Sequence, residues 1–220
     1  HIYRYTFFLW PLAIESFDLS EYDIVISSSS SVSHGVITPL GCKHIAYIHS
    51  SMRYVWDLKS LYTKAFDFNI FKRMIKEFLV TFNRVWDVSA AYRPDILISN
   101  SKFTSKRIRK YWDRDVNYTL TPPVEKYRGK IMVKRKNYYV AGAPFEANKR
   151  GDFLLECASM IGFNLKVIGN GSMKKKLERR FGKYPNIEFL GEISEECKYD
   201  VIANSMGFVV PGIEDYGIFC

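Results

Sequence analysis

The chain alternates between short apolar runs and longer segments in which apolar residues recur every three or four positions. Short runs bounded by small, polar or proline residues predict strands, whereas the longer periodic segments predict helices. The predicted strands of the first half are residues 22–27, 44–49, 95–99 and 116–121. Residues 52–91 are rich in aromatic and basic side chains at helical spacing, so we expect them to be mostly helical. Ser101 is the predicted N-cap of a helix over residues 102–112.

The second half has a more regular rhythm of strands and helices. Its predicted elements are strands 138–142, 165–169, 187–190 and 208–210, and helices 152–161, 172–181 and 195–203. Strands that alternate with helices of about ten residues predict a parallel sheet. Pro122 and Pro123 interrupt regular structure, and a charged stretch with Gly129 follows. The predicted organisation is α/β, with two Rossmann-like domains at 1–124 and 137–220 joined by a linker at 125–136.

Composition and charge narrow the class of protein. The chain has 220 residues, 47% of them hydrophobic, which is enough to fill real cores. A formal net charge of +9 favours an anionic partner: nucleic acid, an acidic membrane surface, or the phosphates of a smaller ligand. No recognisable nucleic-acid reader accompanies the charge, so we expect no nucleic-acid partner, although a basic nucleic-acid-binding protein stays the alternative.

Several classes of site and location are not indicated. The four cysteines lie far apart, with no CxxC pair, so neither a zinc site nor a disulfide framework is expected. No apolar run approaches the ~20 residues of a membrane-spanning helix, and we expect the protein to be cytoplasmic. His1 is not an initiator methionine, and the chain stops where a helix is expected, so we expect a fragment that lacks both ends.

Cations and glycines follow the predicted strands of the second half. Lys149 and Arg150 lie in segment 142–150, directly before a predicted helix, whose N-terminal amides favour anions. Gly169 and Gly171 follow the next strand and allow a sharp turn or a close approach to the backbone. Because carboxyl ends of parallel strands share one sheet edge, these residues predict a binding site for a diphosphate.

Glu214 follows the last predicted strand and precedes Gly217, where we expect another helix to begin. A carboxylate at this position is not needed for packing, and it would lie at the same sheet edge. The alternative is that Glu214 only stabilises the N-terminus of that helix.

The first half offers a second candidate loop. His49 ends a predicted strand and Arg53 follows in the same loop, where both could face a cleft. A lone histidine at a strand end is more often structural than catalytic. His34 and His44 are interpreted as structural.

Six short motifs occur in one order along nearly the whole chain, and together they are specific. They are YDIVISSS at 22–29, HSSMRYVWD at 49–57, SNS at 99–101, PPV at 122–124, NKR at 148–150 and EDYGI at 214–218. With these motifs the chain resembles the retaining GT-B glycosyltransferases of family four. It is most similar to the bacterial-type mannosyltransferases that build polysaccharides and lipid-linked glycans.

The resemblance implies roles for particular residues. Glu214 would match the first glutamate of the family's E-x7-E motif, which contacts the transferred sugar, and His49 the first-domain histidine that reaches it. Arg53 would match the arginine of the same loop, and Ser101 would lie at the acceptor side of the cleft. The implied donor-binding residues are Gly142, Lys149, Arg150, Gly169, Gly171, Asp215, Tyr216, Gly217 and Ile218.

The resemblance also implies the substrates. The donor would be a nucleotide sugar, plausibly GDP-mannose, and the acceptor a glycan or a lipid-linked glycan. Neither a metal nor another cofactor would be required, and the anomeric configuration would be retained. Aromatic and basic residues between 64 and 82 suggest a peripheral membrane contact, but a helix packed into the cleft wall explains the same pattern.

Two departures from the family pattern limit these expectations. Ala143 stands where many members carry an arginine, so Lys149 or Arg150 would have to take over its contact with phosphate. The second glutamate of the motif would fall two positions beyond Cys220. A truncated, inactive glycosyltransferase is therefore a further alternative.

Overall fold

The computed structural model describes residues 6–60, 70–124, 135–142 and 145–217. Its internal contacts divide the chain into two compact units, His1–Pro123 and Val124–Cys220. Most of the predicted linker at 125–136 lies outside the described residues, so the linker stays a prediction.

The first unit contains a parallel sheet of four strands in the order β1-β2-β3-β4. Its strands are β1 (Ile24–Ser29), β2 (Lys43–Ile48), β3 (Ile96–Ser99) and β4 (Tyr118–Thr119), and its helices are α1 (Trp10–Glu15), α2 (Ile70–Ala90) and α3 (Lys102–Trp112). All four predicted strands are present, with bounds that shift by one or two residues. The predicted cap is confirmed, because the Ser101 hydroxyl accepts a 3.0 Å hydrogen bond from the Thr104 amide.

The expectation of helix from residue 52 onwards is wrong for the loop after β2. Residues 53–58 form turns, α2 begins at Ile70, and residues 61–69 lie outside the described part. Met52 and Val55 are fully buried in this loop. Asp57 accepts from both terminal nitrogens of the buried Arg107 guanidinium, with 2.9 Å between Nη2 and Oδ1. A long-range ion pair and local burial therefore override the helical periodicity.

The two faces of the first sheet differ in burial. Ala46, Ile48 and Leu97 lie on one face and are fully buried against Ile108 and Trp112 of α3. On the opposite face, Ile24 and Ile26 of the edge strand β1 are mostly exposed. The core of this unit therefore lies on one side of its sheet.

A buried carboxylate joins the helices of the first unit to the loop after β2. Oδ2 of Asp87 accepts from the indole nitrogens of Trp56, at 2.7 Å, and Trp112, at 2.6 Å. His34 Nε2 lies 3.4 Å from the other carboxylate oxygen, and His34 Nδ1 is 3.1 Å from the Ser29 hydroxyl. Asp87 thus connects α2, α3, the loop after β2 and, through His34, the end of β1.

The second unit contains a parallel sheet of four strands in the order β7-β6-β5-β8. Its strands are β5 (Tyr139–Gly142), β6 (Leu165–Ile168), β7 (Ile187–Gly191) and β8 (Gly207–Phe208), and its helices are α4 (Gly151–Ile161), α5 (Lys174–Phe181) and α6 (Glu195–Ala203). The predicted alternation of strands and helices is confirmed throughout. Because β5 pairs with β6 on one side and β8 on the other, the strand order reverses beside β5. Open α/β sheets bind ligands at the carboxyl side of such a reversal.

The core of the second unit lies between its sheet and the helices α4 and α5. Its most buried members are Leu155, Ala158, Leu165 and Phe181. The loops at the carboxyl edge are thus anchored on a packed layer.

The hydrogen bonds that Asp87 accepts predict a specific pattern of stability loss. Replacing Asp87 with Ala leaves two buried indole N–H groups without an acceptor, which should lower the free energy of unfolding by about 3 kcal/mol. Asp87→Asn keeps an acceptor oxygen and should cost less. All four tryptophans, Trp10, Trp56, Trp86 and Trp112, lie in the first unit, so urea unfolding followed by their fluorescence reports this unit. Asp115→Ala, at an exposed carboxylate, is the control. If Asp87→Ala lowered the free energy of unfolding no more than the control does, the stabilising role of Asp87 would be contradicted.

His44 predicts a pH dependence of the stability of the first unit. The pKa of His44 is lowered from 6.5 to about 4, chiefly by burial; the charges of His34 and Arg114 lower it as well, and the charge of Asp95 opposes them. His44 therefore binds a proton more readily in the unfolded chain than in the folded chain. The free energy of unfolding is highest above pH 6.5 and falls as the pH is lowered towards 4. One pKa unit corresponds to about 1.4 kcal/mol, so the loss across this window is about 3 kcal/mol.

The measurement for His44 is the free energy of unfolding of the first unit as a function of pH. His44→Gln can keep a hydrogen bond with Ser27, which lies 2.9 Å from His44 Nε2, but it does not titrate. The variant should show a shallower decline between pH 6.5 and 4. Identical slopes for the two proteins would show that His44 is not the titrating group.

Candidate donor site

Two loops of the second unit are joined below the predicted diphosphate site. The loop after β5 is anchored by Phe145, which is buried in the core. The amide of Phe145 donates to the carbonyl of Asn170, at 2.8 Å, and the amide of Met173 donates to the carbonyl of Phe145, at 2.9 Å. The loops that follow β5 and β6 therefore form one layer at the sheet edge.

A carboxylate and a glycine fix how closely these loops approach. Glu146 accepts from the amide of Ser172, at 3.1 Å, and from its hydroxyl, at 2.9 Å. A Cβ on Gly171 would lie 2.5 Å from the backbone nitrogen of Phe145, so only glycine fits. Gly169 has φ +122 and its amide donates to the carbonyl of Gly191, at 2.7 Å. The close approach at Gly171 and the positive φ at Gly169 thus both favour glycine.

The structure brings Lys149 and Glu214 together at the reversal of strand order. Lys149 lies in the loop after β5 and Glu214 in the loop after β8, and Lys149 Nζ is 2.7 and 2.9 Å from the two carboxylate oxygens. About a quarter of each side chain is exposed, so solvent and ligands can reach the pair. A Cβ on Gly212 would lie 3.0 Å from Lys149 Cα, which shows how tightly the second loop passes the first.

A small apolar cavity lies beside Lys149. Its volume is about 20 Å³, and Phe145, Leu154 and Pro211 are among its lining residues. Such a space holds no more than a water molecule. A ligand as large as a nucleotide sugar would have to bind above it, at the open edge of the sheet.

The other predicted donor-site residues take different positions. Gly142 ends β5. Arg150 has a left-handed backbone and is exposed, with Nε 3.6 Å from Asp152 Oδ1 and its guanidinium over the Phe153 ring. It is therefore engaged with the first turn of α4, whereas Lys149 pairs with Glu214.

The segment that contains Glu214 continues without regular structure. Asp215, Tyr216 and Gly217 are half-buried, and Gly217 has φ +77. The helix expected to begin at Gly217 would run through residues 218–220, which lie outside the described residues, as does the predicted contact of Ile218.

The predicted residues of the first unit lie at the carboxyl edge of its own sheet. His49 directly follows β2, and its Nε2 is 2.8 Å from the Ser28 hydroxyl at the end of β1. Arg53 is half-buried in the same loop. The Ser101 hydroxyl caps α3, so its capping bond already uses the group that was expected at the acceptor side.

Sequence reasoning missed the residues that hold these side chains in place. The side chains of Asn100 and Thr104 lie 3.1 and 3.4 Å from the carbonyl oxygen of His49, and the amide of His49 donates to the carbonyl of Ser29. Two signals were available, since the motif YDIVISSS at 22–29 contains Ser28 and the motif SNS at 99–101 contains Asn100. Nothing in the local pattern indicated Glu146 as a link between loops.

Neither a metal-binding cluster nor a membrane-spanning helix occurs in the part of the chain that the structure describes. Within it, no group of three or more histidine, cysteine, aspartate or glutamate side chains could hold a metal ion. None of the helices within these ranges has the length and apolar character needed to cross a bilayer.

Comparisons with known proteins identify the fold. No family model matches the sequence, and no curated protein matches it. Among solved structures, TarM is similar with a TM-score of 0.60 and 15% identity, over 96% of this chain and 41% of TarM. Sucrose-phosphate synthase from Thermosynechococcus elongatus is similar with a TM-score of 0.61 and 12% identity, over 90% of this chain and 52% of that one.

The GtfA/B complex gives a TM-score of 0.50 at 15% identity, over 92% of this chain and 40% of that one. The chain thus spans about half, or less, of the length of these structures. All three have the GT-B fold. The predicted fold is therefore confirmed: the chain has the α/β architecture of the GT-B type, with two Rossmann-like parts, each built on a parallel sheet of four strands.

Proposed function

We propose that the protein carrying this chain is a retaining glycosyltransferase that transfers a hexose from a nucleotide diphosphate sugar. The observation that carries the proposal is the Lys149–Glu214 pair at the reversal of strand order in the second sheet. A cation and a carboxylate at such an edge suit a ligand with a diphosphate and a polyhydroxyl group. The GT-B fold of the structural neighbours supports this reading.

Lys149 is assigned to the leaving group. As the bond between the sugar and the diphosphate breaks, negative charge develops on the phosphate oxygens, and a fixed cation stabilises it. Before the donor binds, Glu214 neutralises Lys149. A diphosphate carries more negative charge than one carboxylate, so a bound donor would draw the ammonium group towards the phosphates. Because Lys149 supplies the positive charge, we propose that transfer needs no metal ion.

Glu214 is assigned to the sugar. Once Lys149 turns to the phosphates, the carboxylate is available to accept hydrogen bonds from sugar hydroxyls. The tight passage at Gly212 fixes the backbone that carries it. In this proposal Glu214 orients the sugar, and the backbone from Asp215 to Gly217 supports that contact.

The substrates follow from the motif resemblance. We propose mannose from GDP-mannose as the transferred group and a glycan or lipid-linked glycan as the acceptor. The resemblance assigns His49 to the transferred sugar, and the His49 ring lies beside the Ser28 hydroxyl. Such an enzyme would act in the cytoplasm, and a lipid-linked acceptor would require contact with a membrane surface.

The role of Glu214 predicts a loss of turnover in the intact protein. Glu214→Gln and Glu214→Ala should lower kcat about 100-fold, since an oriented contact in the transition state is removed. Glu196→Gln, at an exposed carboxylate on α6, is the matched control. The melting temperature is measured in parallel, because a purely structural carboxylate would change stability and leave turnover intact. Unchanged turnover in both Glu214 variants would overturn the assignment.

Donor binding predicts a thermal shift that depends on Lys149. A ligand that binds only the folded state raises the melting temperature by mass action. We expect the largest rise with GDP-mannose among GDP- and UDP-sugars, and the same rise in the presence of a chelator. Lys149→Met should abolish it, whereas Lys175→Met, at an exposed lysine on α5, should not.

The outcomes of this screen separate the parts of the proposal. A larger rise with a UDP-sugar would refute mannose from GDP-mannose and leave sugar transfer standing. A rise that vanishes with the chelator would refute metal-independent binding. No rise with any nucleotide sugar would count against the donor site itself.

A further inference from the structure

The two ring nitrogens of His49 are in different situations. Nε2 lies 2.8 Å from the hydroxyl of Ser28, at the end of the neighbouring strand β1. Nδ1 has no hydrogen-bond partner in the part of the chain that the structure describes, and it is not enclosed by protein, in contrast to Nδ1 of His44. The His49 side chain as a whole is half-buried. It therefore presents one accessible ring nitrogen at the carboxyl edge of the first sheet.

The backbone and one side of the His49 ring are held by neighbouring groups. The amide of His49 donates to the carbonyl of Ser29, at 2.8 Å, and its carbonyl accepts from the side-chain amide of Asn100, at 3.1 Å. Tyr47 lies edge to face with the ring, with 4.9 Å between the ring centroids and 79° between the planes. The Tyr47 hydroxyl donates to the carbonyl of Leu120, at 2.8 Å, so this neighbour is itself fixed.

Ser28 is held in place as well. It is paired with Tyr47 in the register of β1 and β2, so its side chain lies on the sheet face that also carries the Tyr47 ring. Its carbonyl accepts from the hydroxyl of Ser33, at 2.7 Å. Within the described ranges, His49 Nε2 is the one hydrogen-bond partner of the Ser28 hydroxyl.

The contact with Ser28 determines which ring nitrogen of His49 carries the proton. Neutral imidazole has a proton on one nitrogen and a lone pair on the other, and a hydroxyl can either donate to Nε2 or accept from it. An imidazole nitrogen is far more basic than a serine oxygen, so the arrangement in which Ser28 donates is favoured. Nδ1 then carries the proton and becomes a hydrogen-bond donor with a fixed direction.

We propose that Ser28 is a positioning residue that keeps neutral His49 in the tautomer whose Nδ1–H donates to the ligand. The ligand group that suits this donor is a hydroxyl oxygen of the transferred sugar. The identity of this ligand rests on the proposed function, whereas the tautomer does not. Ser28 acts through His49 and makes no contact of its own with the sugar.

The chemical shifts of the ring nitrogens measure the tautomer directly. The protein is labelled with 15N in its histidines, and the His49 signals are identified by their loss in His49→Asn. At alkaline pH we expect a protonated Nδ1 and an unprotonated Nε2. Ser28→Val should shift the equilibrium about fivefold towards the Nε2–H tautomer, because one hydrogen bond to Nε2 is lost. Ser28→Thr has nearly the same shape as the Val variant but keeps a hydroxyl, so its spectrum should be that of the unsubstituted protein.

A neighbouring serine provides the control for these spectra. Ser30→Ala, at an exposed position just after β1, should leave both shifts of His49 unchanged. A protonated Nε2 in the unsubstituted protein would overturn the proposal, and so would equal spectra for Ser28→Val and Ser28→Thr. The first of these outcomes needs no variant. Ser28→Ala, with a smaller side chain, replaces the Val variant if the latter does not fold.

Turnover of a nucleotide sugar by the intact protein tests whether Nδ1 is the nitrogen that acts. Ser28→Val should lower kcat/KM about fivefold at an unchanged melting temperature, and Ser28→Thr should recover the loss. The amide nitrogen of His49→Asn takes the place of Nδ1 and that of His49→Gln the place of Nε2, so the Asn variant should retain more turnover. The reverse order would contradict donation by Nδ1. If no nucleotide sugar is turned over, the proposed function fails, and the ring spectra still decide whether Ser28 sets the tautomer.

Discussion

The first unit depends on one buried carboxylate. Asp87 receives the indole N–H groups of Trp56 and Trp112 on one oxygen and lies beside His34 on the other. A buried carboxylate without hydrogen-bond donors costs several kcal/mol. The elements that carry the donors to Asp87 must therefore all be in place for the unit to be stable. The loop after β2, which contains His49, is therefore held by the interior rather than by its own sequence. The contacts with the interior therefore also fix the backbone that carries His49.

The second unit depends on the close approach of backbones rather than on a buried charge. At Gly171 a Cβ would collide with the backbone of the neighbouring loop, and at Gly212 it would press against the backbone of Asn148 and Lys149. These contacts let segments that follow three different strands meet above one edge of the sheet. The Lys149–Glu214 pair depends on this meeting. Its partners are 65 positions apart in the chain, so only the approach of the loops brings them together.

Sequence periodicity was sufficient for most of the architecture and for part of the candidate site. The strands, the cap at Ser101 and the sheet edge shared by Lys149 and Glu214 all follow from local patterns. The turns at 53–58 could not be predicted, because the Asp57 carboxylate that stabilises them pairs with Arg107, 50 residues away. Glu146 was missed for the same reason. A carboxylate in a loop gives no local indication of the amide that it will accept from.

The unequal burial of α2 along its length has a consequence for its dynamics. From Val80 onwards the helix contributes side chains to the interior, whereas residues 70–79 bury none. Opening of the amino-terminal half breaks no core contact, so its amides should exchange hydrogen far sooner than those around Asp87.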